Sequence, residues 1–244
     1  MAKREPLKTE AYFENVCRYY EQRIAENKQD FTNRPPDIKR WDNMHMFQYD
    51  NYYYLIRAYY SIGKPVEELV PLYKEMIHHW HEYYSFPEVE GNIKALIETY
   101  VEALQFLGLA ILLKTGKETI DKLAATLSIL KIDTLLARFT NYLELNITAE
   151  KKLFYKKSFA GLEAMLEGNS KEEGLKTYLS EWMTVMKPTT YAGAHKIKVN
   201  ETAFAGYWSF EAAAICVMEK LDREKFRDQP FFPIDLVDHY FETK

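Results

Sequence analysis

The chain is 244 residues long, and 47% of its residues are hydrophobic and 15% aromatic. This content of large apolar side chains excludes a disordered chain, and the length is sufficient for one large domain or two small ones. The formal net charge of −4 excludes the global basic charge that is typical of nucleic-acid-binding proteins, so we expect no direct contact with nucleic acid.

Helical periodicity dominates the chain from end to end. Apolar residues recur at the three- and four-residue spacing of amphipathic helices, and no segment shows a convincing strand pattern. Prolines and glycines between these segments mark the helix ends. The predicted helices cover residues 9–29, 37–61, 65–85, 92–114, 118–130, 134–145, 148–167, 170–186, 201–221 and 233–241.

These elements predict an all-α protein of about ten helices, packed as helical hairpins in two subdomains that share a core. A weak seam near residues 114–118 divides the chain into an N-terminal subdomain, residues 1–116, and a C-terminal subdomain, residues 117–244. The fourth predicted helix is apolar on most sides and is the candidate for the central helix. Residues 187–200 form the one long irregular segment.

Cysteine use and apolar runs indicate where the protein resides. Cys17 and Cys216 lie far apart in predicted helices and make neither a disulfide framework nor a zinc site, so they fit a reducing compartment. The first ten residues contain no apolar segment of the kind found in signal peptides. The most apolar run, residues 103–113, is shorter than the ~20 residues that span a bilayer. We therefore expect a cytoplasmic protein with no membrane partner.

The predicted ninth helix contains an ionisable side chain on an apolar face. At about 100° per residue, Glu211 shares a face with Phe204, Trp208, Ile215 and Met218. A buried carboxylate needs partners, because an unpaired one costs several kcal/mol. Catalytic and structural glutamates are both buried in this way. We favour a structural carboxylate that binds backbone amides or a nearby tyrosine or lysine.

A histidine-rich segment in the third predicted helix raises a metal hypothesis. Glu75 and His78 have the Glu-x-x-His spacing of di-iron bundles, and His79, His81 and Glu82 follow. The chain has no second Glu-x-x-His motif, and these polar residues are expected on a solvated face. The opposite, buried face is predicted to consist of Leu69, Tyr73, Met76, Trp80 and Tyr83. We therefore expect no metal and no other cofactor.

Acidic residues are concentrated in one part of the chain. Between residues 67 and 103 there are eight glutamates and only two lysines. An ordinary solvated face explains such a pattern, but an acidic surface also suits a basic protein partner. The predicted partner-binding residues are Glu82, Glu88, Glu90, Glu98 and Glu102.

Motifs of nucleophilic catalysis are absent from the sequence. There is no Gly-x-Ser-x-Gly elbow, no zincin His-Glu-x-x-His motif and no glycine-rich phosphate loop. Glu211 has no second acid–base group at a recognisable spacing. The sequence therefore favours a protein that is not an enzyme and has no catalytic residues.

Two parts of the chain resemble one known family. The segments GYWSFEAAA at residues 206–214 and PFFPIDLV at residues 230–237 resemble the C-terminal domain of the PoNi immunity proteins. The segment YLIRAYYSIG at residues 54–63, followed by VEEL at residues 66–69, resembles their N-terminal domain. Within these segments we predict a structural motif that consists of Tyr207, Trp208, Glu211 and Asp235.

The resemblance implies a bacterial antidote that binds and neutralises a cognate PoNe-like DNase toxin in a stoichiometric complex. Two alternatives remain open on the sequence. One is a metal-dependent helical-bundle enzyme that uses Glu211 or the histidine segment. The other is a helical scaffold for a different protein partner.

Overall fold

The computed structural model describes residues 3–33, 41–89, 91, 93–198 and 201–243. Across these residues the chain forms ten α-helices and no β-strand, which confirms the predicted all-α class. None of the described helices is long and apolar enough to cross a membrane. The helices are α1 (Glu10–Asn33), α2 (Trp41–Ile62), α3 (Leu69–Ser85), α4 (Ile97–Leu112), α5 (Lys117–Leu130), α6 (Thr134–Tyr142), α7 (Lys156–Glu167), α8 (Lys171–Val185), α9 (Phe210–Met218) and α10 (Ile234–Glu242).

The chain divides into two compact units, each built from three segments. The first unit consists of Met1–Glu90, Gly116–Thr126 and Gly193–Tyr207. The second unit consists of Gly91–Thr115, Leu127–Ala192 and Trp208–Lys244. The predicted boundary between residues 116 and 117 stays a prediction.

In the first unit, α2 packs against both α1 and α3. The apolar stripes of these amphipathic helices bury large aromatic side chains, which contribute most per residue to the hydrophobic stabilisation. Phe13 of α1, Tyr52 of α2 and Trp80 of α3 are almost completely buried. The unit therefore has a core that is rich in aromatic rings.

The prediction of the ninth helix is wrong for its first half. The predicted start was residue 201, but α9 begins at Phe210. Gly206 has a φ of +111°, a left-handed conformation that a continuous right-handed helix does not contain. Phe204 and Trp208 consequently do not share a helix face with Glu211.

The backbone before α9 bonds to side chains of α2 instead of to its own helix. Buried Arg57 donates to the carbonyl oxygen of Gly206 at 2.5 Å, and the Ser61 hydroxyl donates to that of Ala205 at 2.8 Å. These bonds satisfy buried carbonyl groups that a helix would have paired internally. Within the first unit, the 54–63 segment thus contacts Gly206, the first residue of the 206–214 segment, and the residue before it.

In the second unit, α4 packs against α9, and twelve of its sixteen residues are buried. The crossing is close at Gly108. A Cβ atom at this position would lie 2.7 Å from the carbonyl oxygen of Phe210. Because the obstacle is backbone and not a flexible side chain, the contact requires glycine. Helices α6 and α10 also pack against α4, and α7 packs against α8.

The predicted seventh helix, residues 148–167, is too long at its start, because α7 begins at Lys156. The preceding residues bond to the turn between α5 and α6. The amide of Glu150 donates to the carbonyl of Ile132 at 2.8 Å, and the amide of Phe154 donates to the Asp133 carboxylate at 3.0 Å. Asp133 also accepts the first free amides of α6, so one buried carboxylate fixes both segments.

Candidate functional site

Glu211, in the first turn of α9, is the centre of a buried polar network in the second unit. Its side chain has no exposed surface. The Tyr178 hydroxyl, the Trp182 indole Nε1 and the Ser209 hydroxyl each donate to its Oε1 at 2.7 Å. The Gln105 side-chain amide donates to its Oε2. The network therefore connects α4, α8 and the start of α9 through one carboxylate.

The pKa of the Glu211 carboxyl group is shifted by this environment. Burial raises the pKa of the carboxyl group, and the bonds from Ser209, Tyr178 and Trp182 partly oppose that rise by favouring the charged form. All four donors are neutral groups. Gln105 uses its other side-chain atom, Oε1, to accept from the amide of Phe210 at 3.2 Å. The same glutamine thus holds both the carboxylate and the N-terminus of α9.

One of the partner types predicted for Glu211, a tyrosine, is present as Tyr178, and the structural role of Glu211 stays a prediction. A substrate cannot reach a side chain with no exposed surface, so this geometry gives no support to an acid–base role. Gln105, Tyr178, Trp182 and Ser209 were not predicted as partners. A usable signal was present for Gln105, because it is a polar residue in the most apolar run of the chain.

The other residues of the predicted structural motif have separate surroundings. In the first unit, the Tyr207 hydroxyl lies 2.7 Å from Nδ1 of His195, and its amide donates to the Glu5 carboxylate at 3.1 Å. In the second unit, Trp208 is buried, and Asp235 is partly exposed in the first turn of α10. Glu211 is thus the member of the motif that accepts the hydrogen bonds from Tyr178, Trp182 and Ser209.

The histidine segment differs from the predicted polar face. His79 is buried, and its Nδ1 lies 3.0 Å from Nδ1 of His45 on α2. Its ring is stacked with those of Phe31 and Tyr52, at centroid distances of 5.3 and 6.0 Å. The prediction that His79 is solvated was therefore wrong, because α1 and α2 both contribute rings that cover it. Tyr83, predicted as buried, is partly exposed.

The remaining members of the segment contact different neighbours. His81 Nδ1 lies 3.3 Å from the Thr126 hydroxyl, and His78 Nδ1 lies 3.8 Å from the Glu82 carboxylate. Glu75 is exposed. The part of the chain that the structure describes contains no group of three or more His, Cys, Asp or Glu side chains able to hold a metal ion. Cys17 and Cys216 are buried free thiols, one in each unit.

The predicted acidic residues fall into two groups. Glu82, half exposed on α3, and exposed Glu88 belong to the first unit. Glu98 and Glu102 belong to the second unit, one turn apart and partly exposed on α4. Glu90 lies outside the described residues. The structure thus brings Glu98 and Glu102 together on one helix, and partner binding by these residues stays a prediction.

Its architecture makes this an all-α protein of two helical units. Residues 4–125 match the family model of the PoNe immunity protein (PoNi) N-terminal domain, and residues 131–236 match that of the PoNi C-terminal domain. The chain belongs to the PoNe immunity protein family, and the resemblance seen in the sequence is confirmed.

One solved structure shows the shared fold. The crystal structure of protein PA2201 from Pseudomonas aeruginosa is similar to this chain, with a TM-score of 0.75 and 20% sequence identity. The similarity covers 98% of this chain and 90% of that chain. At this identity the comparison shows the fold alone. No curated protein matches the chain.

Proposed function

We propose that this protein binds and neutralises a cognate PoNe-like DNase toxin in a stoichiometric complex, without catalysing a reaction. The observation that supports this proposal is the match of both family domains, in order, over most of the chain. The closed environment of Glu211 agrees with it, because the one carboxylate that resembled a catalytic group is fully occupied by neutral donors.

The physical basis of recognition would be electrostatic. A DNase holds a polyanion, so its DNA-binding groove presents basic side chains. Glu98 and Glu102 form an acidic pair on α4 that suits such a surface. Charges at the rim of an interface mainly increase the association rate, whereas buried pairs determine affinity. We assign the pair the first of these roles.

The proposal also places the protein in the cytoplasm, where the DNA of the cell is exposed to the toxin, and it needs no metal or other cofactor. Neutralisation would follow from occupation of the toxin by the antidote.

Co-expression in bacteria tests the function. Cells that produce the toxin alone are expected to lose viability and to contain degraded chromosomal DNA. Cells that also produce this protein should keep both viability and intact DNA. A toxin with an inactivated catalytic residue serves as the control for expression burden. Degraded DNA in cells that contain equal amounts of both folded proteins would contradict the proposal.

A further inference from the structure

The second unit contains an open pocket that neither the family match nor the predicted acidic surface accounts for. It lies at the start of α4 and the start of α7 and has a volume of about 670 Å³. Ligand pockets in proteins commonly measure about 300–1,000 Å³, so this one accommodates more than a single side chain. We call it the lysine-rimmed pocket, after the residues Lys94, Lys152, Lys156 and Lys157.

Two of these lysines are already paired and two are not. The Glu150 carboxylate forms an ion pair with Lys94 and lies 3.5 Å from the Lys152 ammonium. Lys156 and Lys157 are exposed, and neither has an ion-pair partner among the described residues. Lys156 and Lys157 thus give the rim positive charge that remains available to a ligand.

The floor of the pocket is apolar and held in place. Ile97, Phe154, Tyr155 and Pro188 contribute to its lining. The ammonium of Lys94 lies 4.8 Å from the centre of the Phe154 ring, a distance typical of cation–π contacts.

Hydrogen bonds between side chains and backbone groups hold this floor in place. The amide of Phe154 is bound to Asp133, and the Tyr155 hydroxyl donates to the carbonyl of Ile93 at 3.2 Å. Burial, and then the nearby Glu98 carboxylate, raise the pKa of the Tyr155 hydroxyl. Glu98 follows Ile97, which lines the pocket, so this part of the surface presents both signs of charge.

We propose that the lysine-rimmed pocket docks an acidic segment of the toxin that inserts an apolar side chain between the lysines. This inference rests on the proposed function and names a second contact of the same partner. Flexible ammonium groups suit carboxylates whose positions vary, because lysine acts as a point charge without the fixed geometry of arginine. The apolar floor supplies the anchor that charges alone do not provide.

The chemistry of a nuclease gives a reason for such a segment. Enzymes that cleave phosphodiesters with metal ions hold those ions with carboxylates, which lie within a groove that is otherwise basic. A toxin surface of this kind presents both signs of charge. The lysines of the pocket would face its carboxylates, and Glu98 would face its basic side chains.

The test compares two double charge reversals in the full-length protein. Lys156→Glu with Lys157→Glu changes the pocket. Lys131→Glu with Lys220→Glu is the matched control, because both lysines are exposed residues of the same unit, lie outside the pocket and have no ion-pair partner among the described residues. The probe is the purified, catalytically inactive toxin. Binding kinetics are recorded by biolayer interferometry at two salt concentrations.

We expect the pocket variant to weaken toxin binding about tenfold or more, with a change in its salt dependence, while the control stays within about twofold of the parent. Phe154→Ala should weaken binding without altering the salt dependence, provided that thermal unfolding shows an intact fold. If the parent and all variants bind equally well, the pocket is not a contact, although the proposed function stands. If the parent itself does not bind the toxin, the proposed function fails, and this inference fails with it.

Discussion

Glu211 and Glu98 are carboxylates of the same unit in opposite surroundings. Glu211 has no exposed surface and accepts bonds from four neutral donors, whereas Glu98 is partly exposed in the first turn of α4. Helix α4 contributes to both surroundings, because its Gln105 donates to Glu211 and its first turn contains Glu98. A carboxylate enclosed by donors stabilises a fold, and one that faces solvent remains available to a partner.

The comparison leads to separable effects. A change at the enclosed carboxylate should alter stability, with toxin binding lost only as far as the protein unfolds. A change at the exposed one should alter binding and have a much smaller effect on stability. The first and last of the four predictions below test this separation, and the other two test the packing of each unit, from the largest expected effect to the smallest.

Replacing Glu211 with alanine should have the largest effect on stability. The substitution leaves the donors of Tyr178, Trp182, Ser209 and Gln105 without their acceptor, and each unsatisfied buried donor costs about 1–3 kcal/mol. We expect the free energy of unfolding to fall by about 3–5 kcal/mol, measured by urea denaturation. An unchanged unfolding midpoint combined with lost protection against the toxin would make Glu211 a functional residue instead.

Replacing Gly108 with alanine should have the next largest effect. The added Cβ would meet the backbone of Phe210, so α4 and α9 would have to move apart at a loss of about 2–3 kcal/mol. Gly161 of α7 is the matched control, since a Cβ there meets nothing within 4 Å. Gly161→Ala should stabilise the protein by up to about 1 kcal/mol through helix propensity. Equal melting temperatures for the two variants would show that the helix crossing is less close than described.

The buried histidine pair should make the first unit sensitive to acid. Burial lowers the pKa of His45 to about 4, and burial together with the neighbouring His45 lowers that of His79 to about 3. An unfolded histidine titrates near 6.5, so between these values the unfolded chain binds more protons and stability falls as the pH falls. Burial raises the pKa of Asp50 to about 7, so this residue makes the protein more stable as the pH falls. Its contribution is the same in all the variants compared and cancels in the comparison.

The free energy of unfolding should therefore fall by about 2 kcal/mol less in His79→Gln than in the parent between pH 6.5 and pH 5. His78→Gln is the control on the same helix, because His78 is half exposed. Urea denaturation at a series of pH values measures both. A parallel pH dependence in the parent and the His79 variant would mean that the buried ring does not resist protonation.

Reversing Glu98 and Glu102 to lysine should lower stability by only about 1 kcal/mol, through the lost acid in the first turn of α4, and mainly alter the kinetics of binding. Association with the toxin should slow by roughly tenfold at low salt and lose most of its salt dependence, because long-range attraction is screened by ions. Binding kinetics at two salt concentrations measure this, and the Glu211 variant at a temperature where it is folded provides the contrast. If the rate and its salt slope match those of the parent, α4 is not part of the interface.

Much of the fold follows from local patterns in the sequence. Amphipathic spacing and the prolines and glycines between segments place nearly every helix, since these signals act over a few residues. The failures lie where distant residues supply the backbone partners. Arg57 donates to the carbonyl of Gly206 and Ser61 to that of Ala205, and these long-range bonds replace the helix that the apolar pattern predicted there.

The buried site shows the same limit. The apolar neighbours of Glu211 correctly predict a buried carboxylate, and the need for partners follows from the energy of burying charge. Which donors serve it depends on how α4 and α8 pack, and no local spacing contains that information. His79 was misplaced for a similar reason, because the rings that cover it come from α1 and α2.

Titration of the active toxin with this protein tests the central claim most directly. A fixed amount of purified toxin is mixed with increasing amounts of the protein, and the cleavage of plasmid DNA is followed. The account predicts that nuclease activity falls linearly and ends at about one equivalent, and that the inactive toxin binds with the same stoichiometry in calorimetry. Full activity at excess protein, or inactivation of many toxin molecules by one molecule of this protein, would contradict stoichiometric neutralisation.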